Sequence, residues 1–229
     1  MNADLSPGPG FFGKVRTHGD FVSRRLPAEF LASWDEGLQE GMVLARRRFE
    51  AQWLPLYLNA PVWCFAWGPH VYGPSAWAGV LMSGVDRVGR YFPFTIAQAF
   101  EGLELERRLA GAQGWYDRLA ELALSTLMPE FSLDEFDAAL RSTGLPGGND
   151  ELVPWRLAVR DASDDSFATL LIKAAVTGQG IWWSDGSPAV PASARSAAGA
   201  MSGLQFASLL DLGTDEWDWV VELTSTAGA

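Results

Sequence analysis

The chain has 229 residues, 48% of them apolar, which is enough to bury a substantial core in one domain. Its formal net charge of -11 is uneven: residues 1–108 hold 11 basic and 11 acidic side chains, whereas residues 109–229 hold 6 and 17. That balance excludes the dominant positive field that nucleic acid or an anionic membrane surface requires.

The start, Met1-Asn2-Ala3-Asp4, lacks the basic flank and apolar stretch of a signal peptide, and no later run approaches membrane-spanning length. A cytoplasmic location without membrane insertion is therefore expected. Gly8-Pro9-Gly10-Phe11-Phe12-Gly13-Lys14 matches both the dinucleotide fingerprint and most of the phosphate-loop pattern. Neither match works mechanistically, because only Met1 to Pro7 precede it, Pro9 removes a backbone donor, and Val15 stands where a magnesium-ligating hydroxyl belongs.

Phe30, Leu31, Trp34, Leu38, Met42, Ala45 and Phe49 recur at three- and four-residue steps and predict a helix over 27–49. Pro27 suits its first position, and Arg46, Arg47 and Arg48 complement the negative end of its dipole. Three apolar runs follow, Val62 to Trp67, Trp77 to Ser83 and Phe94 to Ala99. Both alternating faces of each run are apolar, as in strands covered on both sides, and the first two are close enough for an antiparallel hairpin. Cys64, the only cysteine, lies inside the first run, so no intrachain disulfide is possible and a buried thiol is expected.

Further on, helices are predicted from Trp115 to Met128 and from Leu133 to Arg141. The second start is marked by a Ser132/Glu135 capping box and a Phe131/Phe136 staple. Trp155 to Arg160 alternates like a strand, Ser163 opens a helix through Phe167 and Leu170, and Ile181-Trp182-Trp183 reads as another strand. Residues 184–203, rich in Ser, Ala, Gly and Pro, predict a long flexible surface loop. Trp217 to Glu222 fits a strand or an aromatic clamp. Strands apolar on both faces, flanked by helices, imply a three-layer αβα sandwich around a mixed, partly antiparallel sheet. Most of the 11 tryptophans should fill its core, with some left for partner contact.

Chemistry-bearing groups are sparse. With only His18, His70 and one cysteine, no zinc cluster can be assembled, and no cofactor or metal is expected. A proton-transfer pair of His18 with Asp20 is conceivable, but a loop histidine is ordinarily just solvated, and no serine-hydrolase elbow occurs. The best candidate site is Asp86 with Arg87 and Arg90 in the glycine-flanked loop Ser83 to Thr95. Two readings stay open there. Asp86 could orient one arginine and leave the other free to grip an anion, or all three could form a purely structural network. Lys14, Arg16 and Asp20 join this candidate set if the two glycine-rich segments converge at one sheet edge.

Those segments, Gly10-Phe11-Phe12-Gly13-Lys14 to Gly19-Asp20-Phe21 and Ser83-Gly84-Val85-Asp86-Arg87-Val88-Gly89-Arg90-Tyr91-Phe92-Pro93-Phe94-Thr95, with Leu26-Pro27 to Trp34-Asp35 between them, closely resemble the TagF family of type VI secretion-associated proteins. Gly144-Leu145-Pro146 and Ile181-Trp182-Trp183 resemble it more weakly. The family pattern more often reads Lys-Leu-Pro where this chain has Lys14-Val15-Arg16, and Leu where Phe94 stands. The resemblance implies one TagF-like domain over residues 1–229 and a cytoplasmic accessory protein without catalytic residues. Such a protein would hold the secretion apparatus inactive after synthesis by binding a component, with a forkhead-associated scaffold protein as the expected partner. The competing expectation is an enzyme or sensor that takes a phosphorylated or nucleotide ligand through Lys14, Arg16, Arg87 and Arg90. Oligomeric state is left open by the sequence.

Overall fold

The computed structural model describes residues 8–100, 112–144, 157–159, 179–211, 213 and 215–225. Its strands are β1 (Gly10–Gly13), β2 (Val22–Arg24), β3 (Trp63–Trp67), β4 (Ala76–Met82), β5 (Phe94–Phe100), β6 (Leu157–Val159), β7 (Gln179–Ser184), β8 (Ser193–Ala198) and β9 (Trp219–Ser225). They form one sheet in the order β2-β1-β5-β4-β3-β7-β8-β9-β6. The helices are α1 (Ala28–Phe49), α2 (Trp53–Leu58), α3 (Gln113–Ser125), α4 (Leu133–Ser142) and α5 (Gly203–Ser208).

Helices cover both faces, as the doubly apolar strands require. On one face Trp115, Tyr116 and Leu119 of α3 and Phe136 and Leu140 of α4 pack on Phe11, Val80 and Ile96. On the other, Phe30, Trp34 and Leu38 of α1, Tyr57 of α2 and Phe206 of α5 pack on Phe65, Trp67 and Trp182. The period-two alternation is literal in β3, where Trp63, Phe65 and Trp67 enter the second core while Cys64 and Ala66 face the first. The expected α/β sandwich is present. Its sheet is not mixed, however: every strand pair among the described residues is antiparallel. A short connection such as 68–75 can return a chain only into an antiparallel neighbour, whereas a parallel one needs a longer crossover.

The predicted 62–82 hairpin pairs Trp63 with Leu81 and Trp67 with Trp77. Pro27 sits one residue before α1, in an extended conformation (φ -62°, ψ 146°), and the three arginines fill the last turn as expected. Ser132 caps α4 by accepting from the Glu135 N–H, and Phe131 meets Phe136 edge-on at 5.4 Å. A full capping box forms instead at Ser202 and Gln205, where α5 begins. Leu157–Val159 is a strand as expected. Trp155, Arg156, Arg160 and the helix expected from Ser163 lie outside the described residues. Trp217 to Glu222 resolves into a buried Trp217 followed by β9.

The expectation of a flexible loop over 184–203 is wrong in its centre. Ser193–Ala198 is an interior strand, buried for five of its six residues and hydrogen-bonded to β7 and β9. Its small side chains carry little strand propensity alone, but strand formation depends on neighbours. Here β8 is paired on both sides, with the short Ala194 opposite Trp183 and Arg195 opposite Trp182. Every tryptophan whose side chain is described is buried, so those residues build the core rather than offering a partner surface. Cys64 is only partly exposed, and burial raises its thiol well above the usual range.

Candidate functional site

The glycine-rich start is not a phosphate cradle. Gly10–Gly13 is itself a strand, paired with β2 on one side and β5 on the other, so its backbone donors serve the sheet. Gly13 has φ +139° and its missing Cβ would lie 2.2 Å from the Pro93 carbonyl oxygen. Glycine is needed there for close strand approach, which accounts for the spacing that mimics a nucleotide motif.

This pairing brings the segment after β1 against the β4–β5 connection. Gly84 lies where a Cβ would meet both the Phe92 and Lys14 carbonyl oxygens, at 2.4 and 2.7 Å. Tyr57 fixes the same glycine, its hydroxyl donating to the Gly84 carbonyl and accepting from the Gly84 N–H, each at 3.0 Å. Val85 bridges Tyr91 across the loop, and Gly89 makes the turn with φ +84°.

Asp86 is the node. It is 3% exposed and accepts from Lys14 Nζ at 2.8 Å and Arg90 Nε at 2.6 Å through Oδ2. Through Oδ1 it accepts from the backbone N–H of Val88 at 3.0 Å and of Arg90 at 2.8 Å. Burial by itself would raise this carboxyl, but the hydrogen bonds from Lys14, from Arg90 and from Val88 outweigh it and hold the group well below the usual carboxylate range.

The expected site residues thus divide. Lys14, 6% exposed, is an internal strut, and Arg90 braces the loops by also donating to the Gly19 carbonyl. Arg16 is exposed and tied to α3's end, its N–H reaching the Thr126 carbonyl at 3.2 Å and its Nη1 the Leu127 carbonyl at 3.4 Å. Asp20 is exposed and, among the described residues, accepts from the neighbouring Phe21 N–H at 2.8 Å. Arg87 is held by its backbone, which donates to the His18 carbonyl at 2.9 Å, while its exposed side chain makes no hydrogen bond or ion pair with any described residue. His18 Nδ1 lies 3.0 Å from Thr17 Oγ1 rather than against Asp20. No three His, Cys, Asp or Glu side chains gather as metal ligands among the described residues.

A second charged node had not been expected. Asp137 of α4, 3% exposed, accepts from Arg24 at 2.8 Å, Arg141 at 2.9 Å and Arg25, while Arg25 Nε reaches the Pro9 carbonyl at 2.9 Å. It fastens β2 to α4. Asp137 lies next to Phe136 and three residues before Leu140, on the helix's buried stripe, and an ionised group there requires cations. That position was the available signal. Burial raises this carboxyl, yet Arg24 and Arg25 more than offset it and lower it. Arg195 is the third surprise. It is 2% exposed, its guanidinium faces Trp63 at 4.9 Å and donates to the carbonyls of Ser208 and Asp211, and burial pushes it down to about 10.

Both carboxylates have folded values below their unfolded ones, so the stability they confer is fully present above about pH 4 and is lost as pH falls towards the folded values. Urea unfolding at neutral pH and near pH 3 should therefore show a clear drop in midpoint. In Asp86→Asn that drop should be smaller, because one of the two linked protons is gone.

Residues 10–143 match the family described as TagF N-terminal domain, Type VI secretion system-associated. No curated protein matches the chain in sequence. Among solved structures, the crystal structure of PA0076 from Pseudomonas aeruginosa PAO1 is 32% identical, with a TM-score of 0.75 over 90% of this chain and 96% of that one. Both braced loops and the Asp137 node lie inside the matched residues, and no described helix is long and apolar enough to cross a membrane. On the strength of that match, this chain belongs to the TagF family of type VI secretion system-associated proteins.

Proposed function

We propose that this chain is a non-enzymatic, post-translational repressor of type VI protein secretion that acts in the cytoplasm by binding the apparatus's forkhead-associated scaffold protein. It acts as one domain, in keeping with β3 of the matched part pairing directly with β7 of the remainder. The observation that carries this reading is the division of labour around Asp86. Lys14 and Arg90 are consumed internally, and Arg87 is presented outward on a loop whose backbone is already fixed. Such a feature is a preorganised contact surface, which lowers the ordering cost of binding a partner.

The ligand-sensing alternative needs Lys14, Arg16, Arg87 and Arg90 to converge on one anion. The Lys14 ammonium is buried on Asp86 and Arg16 is directed to the end of α3, so the four do not face a common space. The test is calorimetric titration of the purified protein with the purified scaffold and, separately, with ATP and magnesium. Saturable heat with the scaffold and none with ATP is expected. ATP binding or hydrolysis without scaffold binding would reverse the assignment.

A further inference from the structure

We infer that the adjoining tips of the 14–21 and 85–91 segments form a docking surface for an acidic protein segment carrying an aliphatic anchor, with Arg87 pairing its carboxylates and Phe21 and Val88 taking its apolar side chain. The identity of the partner protein rests on the reading above; the surface and its chemistry rest on the following geometry.

Charge is the first ground. The two segments carry four cations and two carboxylates in a chain whose net charge is -11, so this tip is locally positive while the remaining residues together are strongly negative. Asp86 neutralises part of that charge from inside, while Arg87 is left without a partner among the described residues. An exposed guanidinium with its fork unoccupied is suited to a carboxylate, which it grips bidentately.

Apolar exposure at the same tip is the second. Val88 is 66% exposed and Phe21 43% exposed, whereas most of the other aromatics among the described residues are buried. Phe21 is not loose. Its ring stacks on Phe12 at 5.5 Å, meets Phe92 edge-on at 4.9 Å and lies 5.1 Å from Lys14 Nζ, so one face is anchored and the rest is offered to solvent. Rigid aromatics beside an arginine are the residue types that dominate binding energy at protein interfaces.

Bracing is the third. The Arg87 N–H to His18 carbonyl bond and the Arg90 to Gly19 carbonyl bond lock the two segments to each other, and a side chain at Gly19 would reach within 3.6 Å of the Arg87 guanidinium. Ion pair and apolar contact are thereby held on one rigid tip.

The test uses isotope-labelled full-length protein and the synthetic peptide Glu-Asp-Glu-Leu-Asp-Glu, followed by amide chemical-shift changes. Shifts are expected to concentrate in 14–21 and 85–91, to weaken at least tenfold in apparent affinity in Arg87→Glu, and to fade as salt rises from about 0.05 M to about 0.5 M. Arg87→Glu and Val88→Ser should unfold at the wild-type urea midpoint, since neither side chain is part of the fold's bonding. Shifts scattered elsewhere, absent, or unchanged in Arg87→Glu would overturn the surface. A parallel titration with the purified scaffold separates the two claims. Wild-type binding that Arg87→Glu leaves intact removes the surface and keeps the function; peptide binding at the tips without scaffold binding keeps the surface and removes that partner. Concentration-dependent sedimentation abolished by Arg87→Glu would identify a second copy of the chain as occupant and overturn the choice of an acidic partner segment.

Discussion

Asp86→Ala is expected to destabilise the protein by about 3 to 5 kcal/mol, the range for removing one member of a buried pair and stranding the other. The stranded group is Lys14, whose side chain is 8% exposed and whose ammonium would lose its 2.8 Å carboxylate contact. The backbone donors of Val88 and Arg90 would lose their acceptor at the same time, so the 85–91 loop should come free of the 14–21 segment. Urea denaturation followed by tryptophan fluorescence measures the loss. Asp86→Asn keeps an acceptor for both amides and should fall between wild type and alanine. Combining Lys14→Met with Asp86→Asn should recover part of the stability, because no buried charge remains and both amides keep an acceptor. A loss below about 1 kcal/mol in Asp86→Ala would mean that the pair is effectively solvated.

Trp34→Ala should cost at least as much, about 5 kcal/mol, at the upper end for deletion of a large buried aromatic. Its indole is 0% exposed and lies among Phe30, Phe65, Trp67, Tyr72 and Trp182, with centroid separations of 4.8 to 6.1 Å. Its Nε1 also donates to Thr95 Oγ1 at 2.9 Å, and Thr95 is fully buried. The variant therefore opens a large cavity and orphans a hydroxyl, two penalties that add. Against a typical domain stability of about 5 to 15 kcal/mol, such a protein should be largely insoluble or molten. Trp34→Phe with Thr95→Val should restore a cooperative unfolding transition, since the ring volume is partly refilled and the unpaired hydroxyl is gone.

These two sites differ in how far the sequence disclosed them. Trp34 lies on a helical stripe with Phe30 and Leu38, and periodicity alone places it in the core. The doubly apolar strands β3, β4 and β5 were legible for the same reason, and with them the layered architecture. Strand direction was legible only for the β3–β4 hairpin, from its short connection, because hydrophobic pattern carries no sign of parallel or antiparallel pairing for the other strands. β8 was hidden by its composition: Ser193 to Ala198 reads as loop, and its strand conformation comes from pairing with β7 and β9 rather than from its own residues.

At the site, the sequence offered the convergence of the two glycine-rich segments only as a condition, and it did not assign the roles. Asp86, Arg87 and Arg90 are too close in sequence for spacing to say which arginine turns inward. The turn at Gly89 decides that, folding Arg90 back onto Asp86 and leaving Arg87 at the tip. Of the cations on Asp137, Arg141 stands at the local i+4 position of the same helix, but Arg24 and Arg25 come from β2 and the residue after it, 113 residues away in the case of Arg24, and no local pattern announces a pairing at that distance.

The proposed repressor acts after synthesis, by occupying a partner, and the most direct measurement follows from that. Secretion of a type VI substrate is compared between wild-type cells and cells lacking this protein, alongside immunoblots of the apparatus components. Higher secretion at unchanged component levels, reversed by the wild-type chain and not by a stably folded Arg87→Glu chain, is the predicted result. Secretion that stays the same, or rises only in proportion to apparatus protein, would contradict it.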